Sequence, residues 1–258
     1  MNTYSTRKAV LGLFPGLTRK VTVLGALSLA LLGYGGSGLA QTCPSCRPAP
    51  AGITNWYPGD FNANDLLTAN VGAPTNVTLT PAEVQNGFTF AGNGNIQFGP
   101  SVGNFGTSDF TVAFWVKSST LGTQAIIENR ANCFGGVQFW SIRINGVVTA
   151  ELNNGSTDFP IAGSINVADG NYHHVAMVRS LKNLAVYVDG QLDTTLTGPT
   201  RFNVGSPGLA QAGTSVCTGL DGTQDFTGQL DEIQLYNKAL TATQINGLFK
   251  AGHLGNCK

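Results

Sequence analysis

Hydrophobic and polar positions alternate with a period of two through much of the chain, most clearly over residues 172–196, YHHVAMVRSLKNLAVYVDGQLDTTL. Leu184, Val186 and Val188 alternate with Ala185, Tyr187 and Asp189. A period of two sends one set to each face of a sheet. Asp189-Gly190 joins this run to residues 191–196. Asp-Gly between alternating runs predicts a two-residue hairpin, because both turn positions must accept positive φ. A second such hairpin, Asn145-Gly146, links residues 137–144 to 147–152. Residues 109–117, DFTVAFWVK, place Phe110, Val112, Phe114 and Val116 on one face and Thr111, Ala113, Trp115 and Lys117 on the other. Both faces carry apolar groups, which predicts a central strand covered on both sides. Further strands are expected at 54–58, 77–79, 87–90, 125–128 and 226–235, and at 95–98 after a Gly-Asn-Gly turn.

One helix is expected. Thr241 and Gln244 form a capping box ahead of Ile245, Leu248 and Phe249, and Gly252 supplies the stop. Many short strands with Gly- and Asn-rich turns and one short C-terminal helix make this an all-β chain, a two-sheet antiparallel sandwich or jelly roll.

Residues 1–40 read as an export signal. Arg19-Lys20 precedes an apolar run over 21–33, and Gly38-Leu39-Ala40 offers a small-residue cleavage site. The run is shorter than the ~20 residues of a stable membrane span. The predicted organisation is therefore a signal peptide at 1–40, a Cys- and Pro-rich lead-in at 41–53 and one domain at 54–258, in a secreted, extracellular or periplasmic protein. The chain has 14 basic and 14 acidic side chains, and Arg7, Lys8, Arg19 and Lys20 are the only charged groups before residue 41. The remainder is mildly acidic without basic clusters, which argues against nucleic acid as partner.

The chemistry-bearing residues do not assemble into an active site. Asp231 and Glu232 are neighbours on a strand and would point to opposite faces, whereas two glycosidase carboxylates must flank one bond. His173 and His174 sit in a regular strand and read as structural, one half-buried and one exposed. No Ser/His/Asp arrangement stands out. Asp60, Asn62 and Asn64 alternate side-chain oxygens and Asp65 follows, like the opening of a calcium loop. The glycine and the distant glutamate of such a loop are missing, and a polar turn closed by Asx hydrogen bonds accounts for the same residues. The cysteines at 43, 46, 133, 217 and 257 suit disulfides in an exported chain, but five leave the pairing open. Cys43-Pro-Ser-Cys46 also reads as a redox pair or half a zinc site, for which the second half is missing.

Phe88 to Phe98, DFTVAFWVK, DGNYHHVAMVR, LAVYVDG and FTGQLDEIQLYNKALTATQI occur in an order that resembles the laminin-G-like domains of the concanavalin A-like lectin/glucanase superfamily, of bacterial secreted type. The similarity runs from about Gly52 to Cys257. It implies a concanavalin A-like jelly roll whose relatives bind sugars, proteins or calcium, or act as spacers. Phe90-Ala91-Gly92 departs from the family's usual Phe-Asp-Gly and lacks its acid. The Glu-x-Asp-x-x-Glu of the superfold's glucanases is also absent from Leu230-Asp-Glu-Ile-Gln-Leu235.

The implied jelly roll brings the chain ends together, favouring Cys46–Cys257. Cys133 and Cys217 in Gly-rich loops would then pair, leaving Cys43. On that pairing Arg130, Asp221 and Gln224 share a polar rim with Trp140 nearby, a combination suited to a sugar; a stapled loop over a core Trp is the alternative. A structural calcium, also implied by the resemblance, would join Asp60, Asn62, Asn64 and Asp65 to Asp231. The expected function is non-catalytic glycan recognition with a structural calcium. The rival is a structural or adhesive protein with an extracellular protein partner, and a polysaccharide hydrolase or lyase lacks its acids.

Overall fold

The structure, a computed structural model, describes residues 46–198 and 201–258. The expected export signal and residues 41–45 of the 41–53 lead-in, Cys43 among them, lie outside the described residues. Thirteen strands are present among those described: Ile53–Tyr57 (β1), Ala73–Pro81 (β2), Asn86–Gln97 (β3), Phe110–Lys117 (β4), Gln124–Asn129 (β5), Gln138–Asn145 (β6), Val147–Asn154 (β7), Asp158–Asn166 (β8), Tyr172–Ser180 (β9), Asn183–Val188 (β10), Gln191–Thr197 (β11), Ala210–Ala212 (β12) and Thr227–Tyr236 (β13). Helix α1 spans Ala242–Phe249. The strands follow the order β11-β10-β9-β4-β13-β3-β12-β5-β6-β7-β8, with β1 on β13 and β2 on β3. All pairings are antiparallel. This is the two-layer jelly roll that the alternation predicts.

Strand β3 carries the chain from one layer to the other. Its first half, residues 88–91, pairs with β13, and Ile96 and Gln97 pair with β12. The expected Gly-Asn-Gly turn is instead a bulge inside this one strand. Gly92 sits at φ +85°, the register with β2 slips beside Asn76, and a Cβ on Gly94 would lie 2.5 Å from the Asn76 carbonyl oxygen. Such a bulge bends the strand and re-aims its two halves. The far ends of the strand path also meet: Ser164 of β8 donates its N–H and hydroxyl to the Asp193 carboxylate of β11, both at 2.9 Å.

The core lies between the layers. Phe110, Val112, Phe114 and Val116 of β4 face Trp140, Ile142 and Ile144 of β6 and Val148 and Leu152 of β7 in one apolar cluster. The other side of β4 is covered too. Ala113, Ala176, Val178 and Tyr236 pack under Leu240, Ile245 and Leu248. Both halves of the Thr241/Gln244 capping box form. Burying Ile245 and Leu248 stabilises the seal by ~1.5–3 kcal/mol each.

Both predicted strand pairs form, but at Asn145-Gly146 the two-residue turn does not: Gly146 alone takes positive φ, +76°, and Asn145 pairs with Val147. Asp189 and Gly190 take φ +49° and +74°, and the Asp189 carboxylate accepts from the His174 backbone at 2.9 Å. Two bonds pin the loops and ends: Cys46–Cys257, with Cα atoms 4.9 Å apart, and Cys133–Cys217, at 4.8 Å.

Candidate functional site

Among the described residues no helix lies over the outer face of β5–β8. Phe139, Ser141 and Arg143 point away from the core on β6, opposite Asn153, Glu151 and Thr149 of β7. Asp158, Pro160 and Ala162 of β8 extend the same rows. They form a grid of polar groups beside an apolar strip. A groove of about 370 Å³ runs across it, lined by Thr123, Ser141, Arg143, Thr149, Glu151 and Pro160 among others.

Residues 213–226 wall one side of this face. Glu128 of β5 is buried and anchors that loop, accepting from Ser215 Oγ at 2.8 Å, the Val216 N–H at 2.9 Å and Gln211 Nε2 at 3.0 Å. Thr214 and Thr218 donate to Asp225 within the loop. The Cys133–Cys217 bond ties this wall to the β5–β6 loop. Phe134 and Leu220, one on each tied loop, are exposed.

Asp221 accepts from Nη1 of the groove residue Arg143 at 3.1 Å and from the Thr223 N–H at 3.0 Å. Burial works to raise its carboxyl, but the Thr223 hydrogen bonds and Arg143 outweigh it and hold the group low. Arg130 lies on the same outer face, 3.8 Å over the Phe139 ring. Its guanidinium is committed to its own loop, donating to the Asn132 carbonyl at 2.9 Å and to the Cys133 carbonyl. Gln224 is exposed and stands at the Gly122–Thr123 end, where its N–H donates to the Thr123 carbonyl at 2.8 Å.

Trp140 requires correction. It is fully buried, its Nε1 donates to the Gly103 carbonyl at 2.7 Å, and its ring packs near Phe105 and Phe110. The strand's alternation turns it inward, so it serves the core and offers no surface to a sugar. The sequence reading also missed Arg143, Thr149 and Glu151, although the polar half of the β6–β7 alternation marks them. Burial, then the Asp158 charge, push Glu151 up to about 7, while Arg130 and Arg143 pull the other way.

The five residues assigned to calcium do not fit one. Both Asp65 oxygens are occupied by Asn55, Trp56, Leu67 and Thr68 donors. Asn62 Oδ1 accepts the Asn64 N–H at 2.8 Å, closing an Asx turn. Asp231 is buried elsewhere and accepts the Val84 N–H at 2.7 Å. Asp60, Asp65 and Asp231 do not each bring an oxygen within 4.8 Å of the others. Among the described residues one such trio exists, Cys133, Cys217 and Asp221, and its sulfurs are spent in the disulfide.

Asp231 and Glu232 do not form a catalytic pair. Both are buried; a bulge in β13 puts Glu232 at φ +52°, and its carboxylate accepts Trp56 Nε1 at 2.7 Å. Burial, with the Glu232 charge adding to it, raises Asp231 to about 8. The histidines are both more covered than expected. His174 is buried edge-on to Trp115 and burial lowers it to about 4, and His173 is clasped by Asp189 at 2.8 Å and Asp169 at 3.2 Å.

Residues 90–246, spanning both layers and the helix, match the laminin-G family model described as the concanavalin A-like lectin/glucanases superfamily. The chain belongs to this superfamily. Its lectin-like fold recurs in domain 4 of AbnA, a GH43 extracellular arabinanase from Geobacillus stearothermophilus solved in complex with arabinotriose, at 17% identity and TM-score 0.62, over 76% of this chain and 97% of that one. It recurs in the binding domain of Paraclostridial Mosquitocidal Protein 1, at 16% identity and TM-score 0.59, over 77% of this chain and 52% of that one. The binding domain of botulinum neurotoxin serotype D/C is similar at 17% identity and TM-score 0.60, over 78% and 52%. The superfamily member described here thus spans about half the length of those two toxin domains. No curated protein matches the chain.

Proposed function

We propose that this chain is a non-catalytic binding module that takes a glycan in the groove on the outer face of β5–β8. The observation that carries this reading is the groove itself. Ser141, Arg143, Thr149 and Glu151 line it with polar groups, Pro160, Ile161 and Ala162 add apolar surface, and Asp221 pairs with Arg143. A sugar ring offers hydroxyls at its rim and C–H surface on its faces, and binding sites combine a few placed polar groups with apolar walls. The superfamily's lectin-like fold and the arabinotriose complex of the arabinanase domain support the reading. Two disulfides suit an oxidising compartment outside the cytoplasm. No helix among the described residues is long and apolar enough to cross a membrane.

The test is a glycan array followed by affinity gels with neutral and acidic polysaccharides. At least one polysaccharide should retard the native chain, and Arg143→Gln should weaken that retention. A native chain that no polysaccharide retards would leave the rival reading, a protein-binding surface formed by Phe134 and Leu220. Turnover of any polysaccharide would sink the non-catalytic reading.

A further inference from the structure

Three arginines are wholly or partly covered among the described residues, and two of them spend the Nε–Nη2 edge of the guanidinium on carbonyl oxygens. Arg179 donates Nε to Ser108 at 3.0 Å and Nη2 to Gly106 at 3.1 Å. Arg130 gives the same edge to Asn132 and Cys133. Arg143 does not. Its Nη1 is held by Asp221 at 3.1 Å, while its Nε and Nη2 are shielded from solvent and have no partner among the described residues. Shielded donors left unmet are costly, most of all on a charged group. The first two arginines hold loops together with this edge, whereas Arg143 lines the groove.

The open edge has a definite shape. Nε–H and Nη2–H lie side by side and parallel, and they match two oxygens of one anionic group. Asp221 grips a nitrogen outside this edge and so orients it. Ala125 and Thr149 flank Arg143 across the sheet, and neither carries a charge. Glu151 is the acid among the groove's lining residues. Burial, then the Asp158 charge, raise it to about 7, so near neutrality it is partly uncharged and opposes an anion less.

We propose that the glycan taken by this groove is an acidic one, and that Arg143 reads its anionic group side-on through Nε and Nη2. The inference rests on the reading of the groove as a glycan site. On binding, a turn about the last bonds of the Arg143 side chain brings the open edge to the groove while Asp221 keeps Nη1. The carboxylate of a uronic acid and a sulfate ester offer the same pair of oxygens. A neutral sugar offers single hydroxyls and no charge, and leaves the fork poorly matched.

The experiment is affinity electrophoresis of the full chain in polygalacturonate, the same polymer with its carboxylates reduced to alcohols, dextran sulfate and dextran. Polygalacturonate or dextran sulfate should retard the native chain, with affinity roughly tenfold above that for its neutral counterpart, and the retarding polymer tells carboxylate from sulfate. Arg143→Lys keeps the charge and loses the fork, and should bind roughly tenfold more weakly. Lys182→Gln removes a positive charge from the β9–β10 turn and should bind like the native chain. Equal retention by a neutral counterpart, or an Arg143→Lys chain retained like the native one, would overturn the proposal and leave the glycan site standing. So would a native chain retarded by neutral polysaccharides alone, whereas one that no polysaccharide retards ends both readings. If Arg143→Lys does not fold, the native chain decides by NMR. Its Arg143 Nε–H resonance should shift with oligomers of the retarding polymer and not with their neutral counterparts, and an unmoved resonance would overturn the proposal.

Discussion

The two layers of this sandwich treat their outer faces oppositely. Over β4, β9 and β13 the outward positions are Ala113, Ala176, Val178 and Tyr236, and helix α1 seals them. Over β5–β8 the outward positions are Ser141, Arg143, Thr149 and Glu151, and among the described residues no helix covers them. The same period-two alternation produces both faces. What differs is the chemistry of the outward half and whether a distant segment comes to cover it. One face contributes stability, and the other is free to meet a ligand.

The largest expected effect is on the wall of the open face. Cys133→Ser with Cys217→Ser opens a loop of 84 residues, which the chain-entropy account values at about 4.5 kcal/mol. Urea unfolding should show that loss, and glycan retention should fall with it because the 213–226 wall is no longer tied down. On the sealed face, Leu248→Ala should cost about 2–4 kcal/mol in the same assay through the cavity it leaves, without changing retention by the folded fraction. A sealed-face variant that abolishes retention while folded would break the comparison.

Buried acids sharpen it through pH. Asp231, in the sealed layer, is raised to about 8, and Glu151, on the open face, to about 7. A carboxyl raised above its unfolded value makes the folded state hold the extra proton, so its stabilisation is complete below about pH 4 and is lost as pH rises through the folded value. Native stability should therefore decline between about pH 4 and pH 8, and Asp231→Asn should flatten much of that decline. Glu151→Gln should instead flatten the change in glycan retention across neutral pH. The smallest effect on stability is expected at Thr149→Ala, within about 0.5 kcal/mol of native, which separates a binding surface from a core.

Local signals in the sequence were enough for much of the fold. Asp189-Gly190 and the Thr241/Gln244 box each act over a few residues and form as expected, while Asn145-Gly146 marks a hairpin tighter than the two-residue turn it predicts. Strand β8 escaped notice because Pro160 and Gly163 interrupt it, and an edge strand tolerates both. Strand β3 looked like two short strands because the glycines that permit its bulge also mark turns. The groove was harder to see. Alternation shows that Ser141 and Arg143 share a side, but not that this side stays uncovered. Trp140 carried both a core and a sugar-platform meaning, and its bond to the Gly103 carbonyl, 37 residues away, decides for the core. Lys258 pairs with Asp60 across 198 residues, a distance over which no local pattern signals contact.

The open face is tested most directly by filling it. Thr149→Trp places a large side chain across the groove on a strand that the core does not need at that position. Affinity electrophoresis of this variant beside the native chain should show a polysaccharide that retards the native protein and not the variant, with both melting at closely similar temperatures. Equal retardation of the two would place glycan binding elsewhere and contradict the account.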